Sequence, residues 1–288
     1  MCNITDKLQF ILFADDTTVF MSHSDPQVLQ NVFHQEIVKL FNWFLNNKLI
    51  VNYDKTKLMV FTNRNIDFNN VNKRVNEFSF ECVNSLKFLG VIINHKLKWN
   101  EHINAVCNKL AKNIGILYKV QFYPLDILKM LYHTLITPYL NYCSTVWANF
   151  NKSDMERLLK LQKKAVRIIT HSQYHAHSAP LFYELHILNV NDMGKFYIAV
   201  LMFLCHKRLL PSFLLTCFDL NQDVHNYNTR NASNYHLPKI RTTCMKNSFF
   251  FQGPVIWNSI PPEIKSSNTL NLFKTKFKQF LLNNYNNH

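Results

Sequence analysis

With 288 residues, 48% of them hydrophobic and only 17% charged, the chain can bury a substantial core and is too apolar to stay disordered. Four glycines in the whole sequence exclude a glycine-rich phosphate loop of the Walker or dinucleotide-binding type. A formal net charge of +14 points to a polyanionic partner, of which nucleic acid is the commonest class.

In chain order, residues 8–13 and 18–21 read as β-strands, the first apolar, the second β-branched and aromatic. The short residues 14–17 between them suit a tight turn with Asp15 and Asp16 at its tip. Ser24-Asp25-Pro26 is a helix start, and Val28, Leu29, Val32, Phe33, Ile37, Leu40, Phe41 and Phe44 follow at helical spacing. Residues 49–51 and 57–61 read as strands, the Asn-rich residues 64–74 as a loop, and residues 78–82 and 86–93 as the two strands of a second hairpin. After Trp99 the pattern turns helical. Asn100 is placed to cap a helix with Ile103, Val106, Leu110, Ile114 and Leu117 inside. A second helix starts near Leu125 and is interrupted at Pro138. Ser153 with Glu156 forms a capping-box pattern, and a fourth helix follows Asn191. Between residues 216 and 262 periodicity fades. Thr269 or Asn268 then caps a last amphipathic helix with Leu270, Phe273, Phe277 and Leu281 inside. The expected fold class is α+β, with a mixed segment over 1–99, a helical one over 100–215 and a basic, less regular one over 216–288.

The charge is unevenly placed. Residues 1–36 hold Asp6, Asp15, Asp16, Asp25 and Glu36 against Lys7, a net of −4, which leaves +18 on the rest. Paired carboxylates on a rigid hairpin suit Mg²⁺ or Mn²⁺, hard cations that prefer oxygen ligands and serve phosphoryl transfer; an Asp-Asp pair alone equally describes a solvated turn. Lys160, Lys163, Lys164 and Arg167 line one helix and suit a nucleic-acid backbone, as they would an ordinary solvated face. Tyr227, Arg230, Lys239, Arg241 and Lys246 interleave an aromatic ring with cations, a pattern suited to single strands. His171, His175, His177 and His186 lack the spacing of a zinc site. The seven cysteines are scattered, form no CxxC pair and are odd in number, so a reducing compartment and a soluble intracellular chain are expected, in nucleus or cytoplasm. The longest apolar run, residues 198–205, is too short to span a bilayer.

Phe13-Ala14-Asp15-Asp16-Thr17 between two apolar strands resembles the (Y/F)ADD box of reverse transcriptases. Asn47-Lys48-Leu49 through Asn52, then Asp54-Lys55-Thr56-Lys57 and Phe61, resemble the following palm block. Leu86-Lys87-Phe88-Leu89-Gly90-Val91 with Leu97-Lys98-Trp99 resembles the primer-grip block. Further likeness runs through Pro138-Tyr139-Leu140, Trp147, Gln162-Lys163-Lys164-Ala165-Val166-Arg167, Ser178-Ala179-Pro180-Leu181-Phe182, His225-Asn226-Tyr227-Asn228-Thr229-Arg230 and Gly253-Pro254-Val255-Ile256-Trp257-Asn258. Nearly the whole chain thus resembles the carboxyl-terminal part of non-LTR (LINE-type, jockey-like) retrotransposon reverse transcriptases.

The resemblance implies a partial right-hand polymerase palm followed by a helical thumb and a basic tail, acting on an RNA template and a DNA primer. It implies Asp15 and Asp16 as catalytic metal ligands, Lys55 or Lys57 near the nucleotide phosphates, and Phe88, Leu89 and Gly90 at the primer terminus. Twelve residues precede Phe13, so the upstream aspartate strand and fingers of the family are expected to be missing and the chain alone to have little or no activity. A nucleic-acid-binding remnant without catalysis is the alternative.

Overall fold

A computed structural model describes residues 5–62, 74–75, 78–148, 152–224 and 231–285. The expected loop over 64–74 falls largely, and the block 225–230 wholly, outside the described residues. The fold is α+β and mainly helical, with four two-stranded sheets among the described residues. It divides into two units, Met1–Leu97 and Lys98–His288. Among the described residues no helix is long and apolar enough to cross a membrane.

In the first unit, β1 (Gln9–Phe13) and β2 (Asp16–Phe20) pair antiparallel with Phe10 opposite Val19 and Phe13 opposite Asp16. The connection is a two-residue loop, tighter than the four-residue turn expected. Helix α1 (Pro26–Asn46) starts as its sequence dictates: the Asp25 carboxylate accepts from the amides of Gln27 at 2.8 Å and Val28 at 3.3 Å, and Pro26 occupies the first turn, where no amide is needed. Its apolar stripe buries Ile37, Leu40 and Phe41 with Leu8, and Phe10, Val19, Tyr53 and Phe80 pack around them.

Two expectations fail here. Residues 49–51 form no strand, and of 57–61 only β3 (Lys57–Leu58) does. The second hairpin is folded differently: β4 (Arg74–Val75) pairs with β5 (Phe78–Ser79), and β6 (Glu81–Cys82) runs parallel to β3. The supposed single strand over 86–93 is itself a hairpin, β7 (Ser85–Phe88) and β8 (Val91–Asn94). The cause is local. Leu89 and Gly90 both have positive φ, 44° and 86°, which is the backbone of a type I′ turn and reverses the chain in two residues.

Among the described residues the second unit is helical apart from one antiparallel bridge, Leu220 with Tyr235: α2 (Asn100–Lys119), α3 (Leu125–Leu135), α4 (Thr137–Asn141), α5 (Ser144–Trp147), α6 (Lys152–Ile169), α7 (Ser178–Glu184) and α8 (Val190–His206), then α9 (Ser212–Leu215), α10 (Asn221–Val224), α11 (Thr243–Asn247), α12 (Phe249–Ser259), α13 (Pro262–Lys265) and α14 (Leu270–Asn283). Several starts shift by a residue or two. Trp99, which makes no side-chain capping bond, precedes α2 in place of Asn100; α6 begins at Lys152; Asn189, not Asn191, caps α8 by accepting from Asn191 and Asp192. Thr269 caps α14 as expected. Helix α8 is apolar on every side over residues 196–205, and α4, α5, α6, α12 and α14 pack on the helix.

Helix α12 lies where periodicity fades in the sequence. A proline inside a helix removes one backbone bond and costs about 3 kcal/mol, so Gly253-Pro254 reads as a break. Tertiary packing offsets that cost. A Cβ on Gly253 would lie 2.7 Å from Met202 Sδ, so the glycine lets α12 approach α8 closely. Trp257, 2% exposed, is surrounded by the rings of Phe203, Phe273, His206 and Tyr235. Asn258 then fastens the segment before it: its amide donates to the Tyr235 carbonyl at 2.9 Å and its oxygen accepts from the Tyr235 amide at 3.0 Å.

Candidate functional site

The β1–β2 ladder ends at the Phe13–Asp16 pair, leaving Ala14 and Asp15 as the loop. Ala14 has a φ of 50°, the left-handed conformation that primed hairpin turns require at their first loop position. Alternation along the strand puts Asp16 on the face opposite Val19, which faces α1. That outer face carries Ile11, Phe13 and Phe20, all largely exposed. Asp15 and Asp16 are themselves exposed. Among the described residues neither makes an ion pair or a side-chain hydrogen bond. Two adjacent solvent-facing carboxylates on a fixed turn suit Mg²⁺, which is often held by one or two carboxylates with waters and substrate phosphates completing its shell. Among the described residues no group of three His, Cys, Asp or Glu side chains could hold a metal.

The two lysine candidates differ. Residues Tyr53–Lys55 form a single 3₁₀ turn capped by Asn52, whose side chain accepts from the Lys55 amide at 3.2 Å. Tyr53 stacks on Phe41, with ring centroids 5.7 Å apart, so this turn and the carboxylate hairpin are mounted on the same core of α1. Lys55 is exposed and, among the described residues, in no ion pair. Lys57 instead pairs with Glu81 across the β3–β6 sheet. Phe88, Leu89 and Gly90 come together as the closing residue and the loop of the β7–β8 turn.

In the second unit, Lys160 and Lys164 are exposed on α6, and Lys163 is half-buried. Arg167 is engaged within the protein. Its Nε and Nη2 donate to the Ala176 carbonyl at 3.0 and 2.9 Å, which clamps the segment between α6 and α7. Arg230 and Tyr227 lie outside the described residues. His175 and His186 lie against the rings of Tyr174 and Tyr183.

The residue that sequence reasoning passed over is Gln162. It is fully buried; its amide donates to the Tyr132 hydroxyl at 2.8 Å and the Leu188 carbonyl at 2.9 Å, and its oxygen accepts from the Val190 amide at 2.7 Å. It thereby ties α6 to α3 and to the start of α8. Burial pushes the Tyr132 hydroxyl above the usual tyrosine range, so it stays protonated at any ordinary pH. The signal was available: position 162 falls on the buried stripe of Leu158, Ala165 and Ile169, where a polar side chain must find partners.

Comparison with known proteins adds the lineage. Over 153 residues, half of this chain, it is 21% identical to the Retrovirus-related Pol polyprotein from type-1 retrotransposable element R1 2 of Nasonia vitripennis. Over 192 residues, 65% of the chain, it is 22% identical to the Probable RNA-directed DNA polymerase from transposon X-element of Drosophila melanogaster. The chain is a distant relative of non-LTR retrotransposon polymerases. The matched segments span 37% and 21% of those two relatives' own lengths. No protein-family profile matches the chain, and no solved structure does. The retrotransposon relationship rests on these two relatives.

Proposed function

We propose that this chain is the palm-and-thumb portion of an RNA-directed DNA polymerase, working on an RNA template and a DNA primer. One observation carries the reading: in a relative of retrotransposon polymerases, two consecutive carboxylates without ion-pair partners among the described residues stand at the tip of a tight hairpin, Asp15 in its loop and Asp16 at the first ladder pair. Asp15 and Asp16 would hold Mg²⁺ or Mn²⁺ through their carboxylate oxygens, and the ion would supply activation of a hydroxyl nucleophile and charge stabilisation of a leaving phosphate oxygen. Lys55, free of ion pairs among the described residues and fixed by the Asn52 cap, is the better of the two lysines for a nucleotide phosphate; Lys57 is already matched by Glu81. The loop of Phe88, Leu89 and Gly90 positions the primer end. Lys160, Lys163 and Lys164 on α6 track the nucleic-acid backbone. The strongly basic second unit also favours a role in holding nucleic acid that does not depend on catalysis.

The test is a Mn²⁺ titration followed by electron paramagnetic resonance, with primer–template and a nucleoside triphosphate present. Asp15→Asn and Asp16→Asn should each weaken Mn²⁺ binding about tenfold or more while salt-dependent nucleic-acid binding persists. Unchanged Mn²⁺ binding in the double variant would remove the carboxylates from the site and leave only the binding role.

A further inference from the structure

The corner joining α2 to α3 presents three aromatic rings to solvent within six residues of sequence. Tyr118, Phe122 and Tyr123 are 60%, 74% and 45% exposed. The rings of Phe122 and Tyr123 lie side by side, centroids 4.6 Å apart and tilted by 33°. Single exposed apolar residues are ordinary, but adjacent rings at one corner form a patch that marks an interaction site. Leading to it along α2 are Lys112 and Lys119, spaced to share one face of the helix and both exposed. Among the described residues neither lysine is in an ion pair. Gly115 sits between them, and a Cβ there would meet nothing within 4 Å, so the approach is open. From residue 112 to 129 the sequence carries a single acid, Asp126.

Rings and unmatched cations with almost no carboxylate describe a surface complementary to a polyanion that has flat faces. A protein partner would use the rings but would leave the lysines unmatched unless it were acidic. A duplex would meet the lysines but keeps its base faces inside. An unpaired strand uses both features, its bases stacking on the rings and its phosphates meeting the lysines. We propose that the α2–α3 corner is a stacking platform for an unpaired RNA strand, with Phe122 and Tyr123 receiving bases and Lys112 and Lys119 the neighbouring phosphates. The choice of RNA rests on the reading of the chain as part of an RNA-directed polymerase. The platform itself lies apart in the sequence from the carboxylate hairpin and from the α6 lysines.

The experiment is fluorescence anisotropy of labelled oligouridylate with the full chain over a range of salt. Phe122→Ala with Tyr123→Ala should weaken binding about tenfold to a hundredfold, as the loss of one or two stacked bases implies. The slope against salt should stay unchanged, and the loss should disappear on an abasic ribose-phosphate chain of equal length. Lys112→Gln with Lys119→Gln should instead flatten the slope of log affinity against log salt by about 1.4, roughly 0.7 for each phosphate contact on a single strand. Phe122→Tyr with Tyr123→Phe should restore binding, and circular dichroism checks the fold of each variant. Unchanged affinity in the alanine pair, an equal loss on the abasic chain, or no oligouridylate binding by the parent would overturn the proposal. So would sedimentation showing self-association that the alanine pair abolishes, since a second copy would then cover the patch. The Mn²⁺ titration with Asp15 and Asp16 variants reads the polymerase assignment separately, so the two ideas can fail independently.

Discussion

Residues Met1–Leu97 carry ten Lys and Arg against nine Asp and Glu, whereas Lys98–His288 carry 22 against nine. The first unit is thus almost neutral, and its candidate chemistry stands on strands of two to five residues fastened to one helix face. The second is strongly basic and is built of helices around α8. On the proposed function, the contrast would serve two demands: metal ligands would stand on a short turn held by a small core, and a nucleic-acid surface would spread its cations over a larger helical body that withstands their mutual repulsion. Two-stranded sheets on a small core are marginal structures, so the first unit should also open more readily than the second.

The sharpest way to break the comparison is Gln162→Ala. It strips the Tyr132 hydroxyl, the Leu188 carbonyl and the Val190 amide of a buried partner and leaves a cavity, at a cost of roughly 3–5 kcal/mol. Hydrogen exchange read by mass spectrometry should show protection falling throughout α2–α8 and unchanged in α1. An equal fall in α1 would mean that the two units unfold as one.

Acid should separate the units next. Burial, and then the charge of Lys109, hold His102 below its ordinary value of 6.5, so the folded state favours the neutral ring. The unfolded chain takes up that proton first. Stability from His102 is therefore complete above pH 6.5 and is lost as pH falls towards the folded-state value. In the first unit the corresponding group is Glu36, held below 4.5 by its hydrogen bond from Lys39 at 2.8 Å, so its contribution survives until pH falls below that value. Denaturant midpoints between pH 7 and 5 should fall for the helical unit and hold for the other, and His102→Gln should flatten the fall.

The smallest effect sharpens the view of the first unit. Leu89 occupies a left-handed position that costs a branched side chain about 1 kcal/mol or more. Leu89→Asn should raise the protection of β7 and β8 by about 0.5–1 kcal/mol. A decrease would show that packing of the half-buried leucine outweighs its backbone strain.

Helices α1 and α14 were legible because a capping side chain and a helical period coincide at Asp25 and Thr269. The Asp15-Asp16 hairpin was legible because two apolar runs flank short polar residues. The β7–β8 turn was not, since leucine is not a residue expected at positive φ. Helix α12 was hidden by a Gly253-Pro254 pair that only contact with α8 makes tolerable. Within the candidate site, sequence could not separate Lys55 from Lys57, because Glu81, which pairs with Lys57, lies 24 residues away. Nor could it foresee that Arg167 turns inward to Ala176.

The Tyr285 hydroxyl donates to Asp192 at 2.7 Å and accepts from the Asn189 amide at 3.0 Å, closing the start of α8 from 96 residues further along the chain. On the ribosome, at about 5–20 residues per second, α8 waits roughly 5–20 s for that hydroxyl and for the Phe273 and Phe277 rings of α14. During that interval the apolar stretch 196–205 of α8 stands without part of its cover. Chaperones have their clearest opportunity then, and a message broken before α14 would yield a product marked for degradation by its own exposed core.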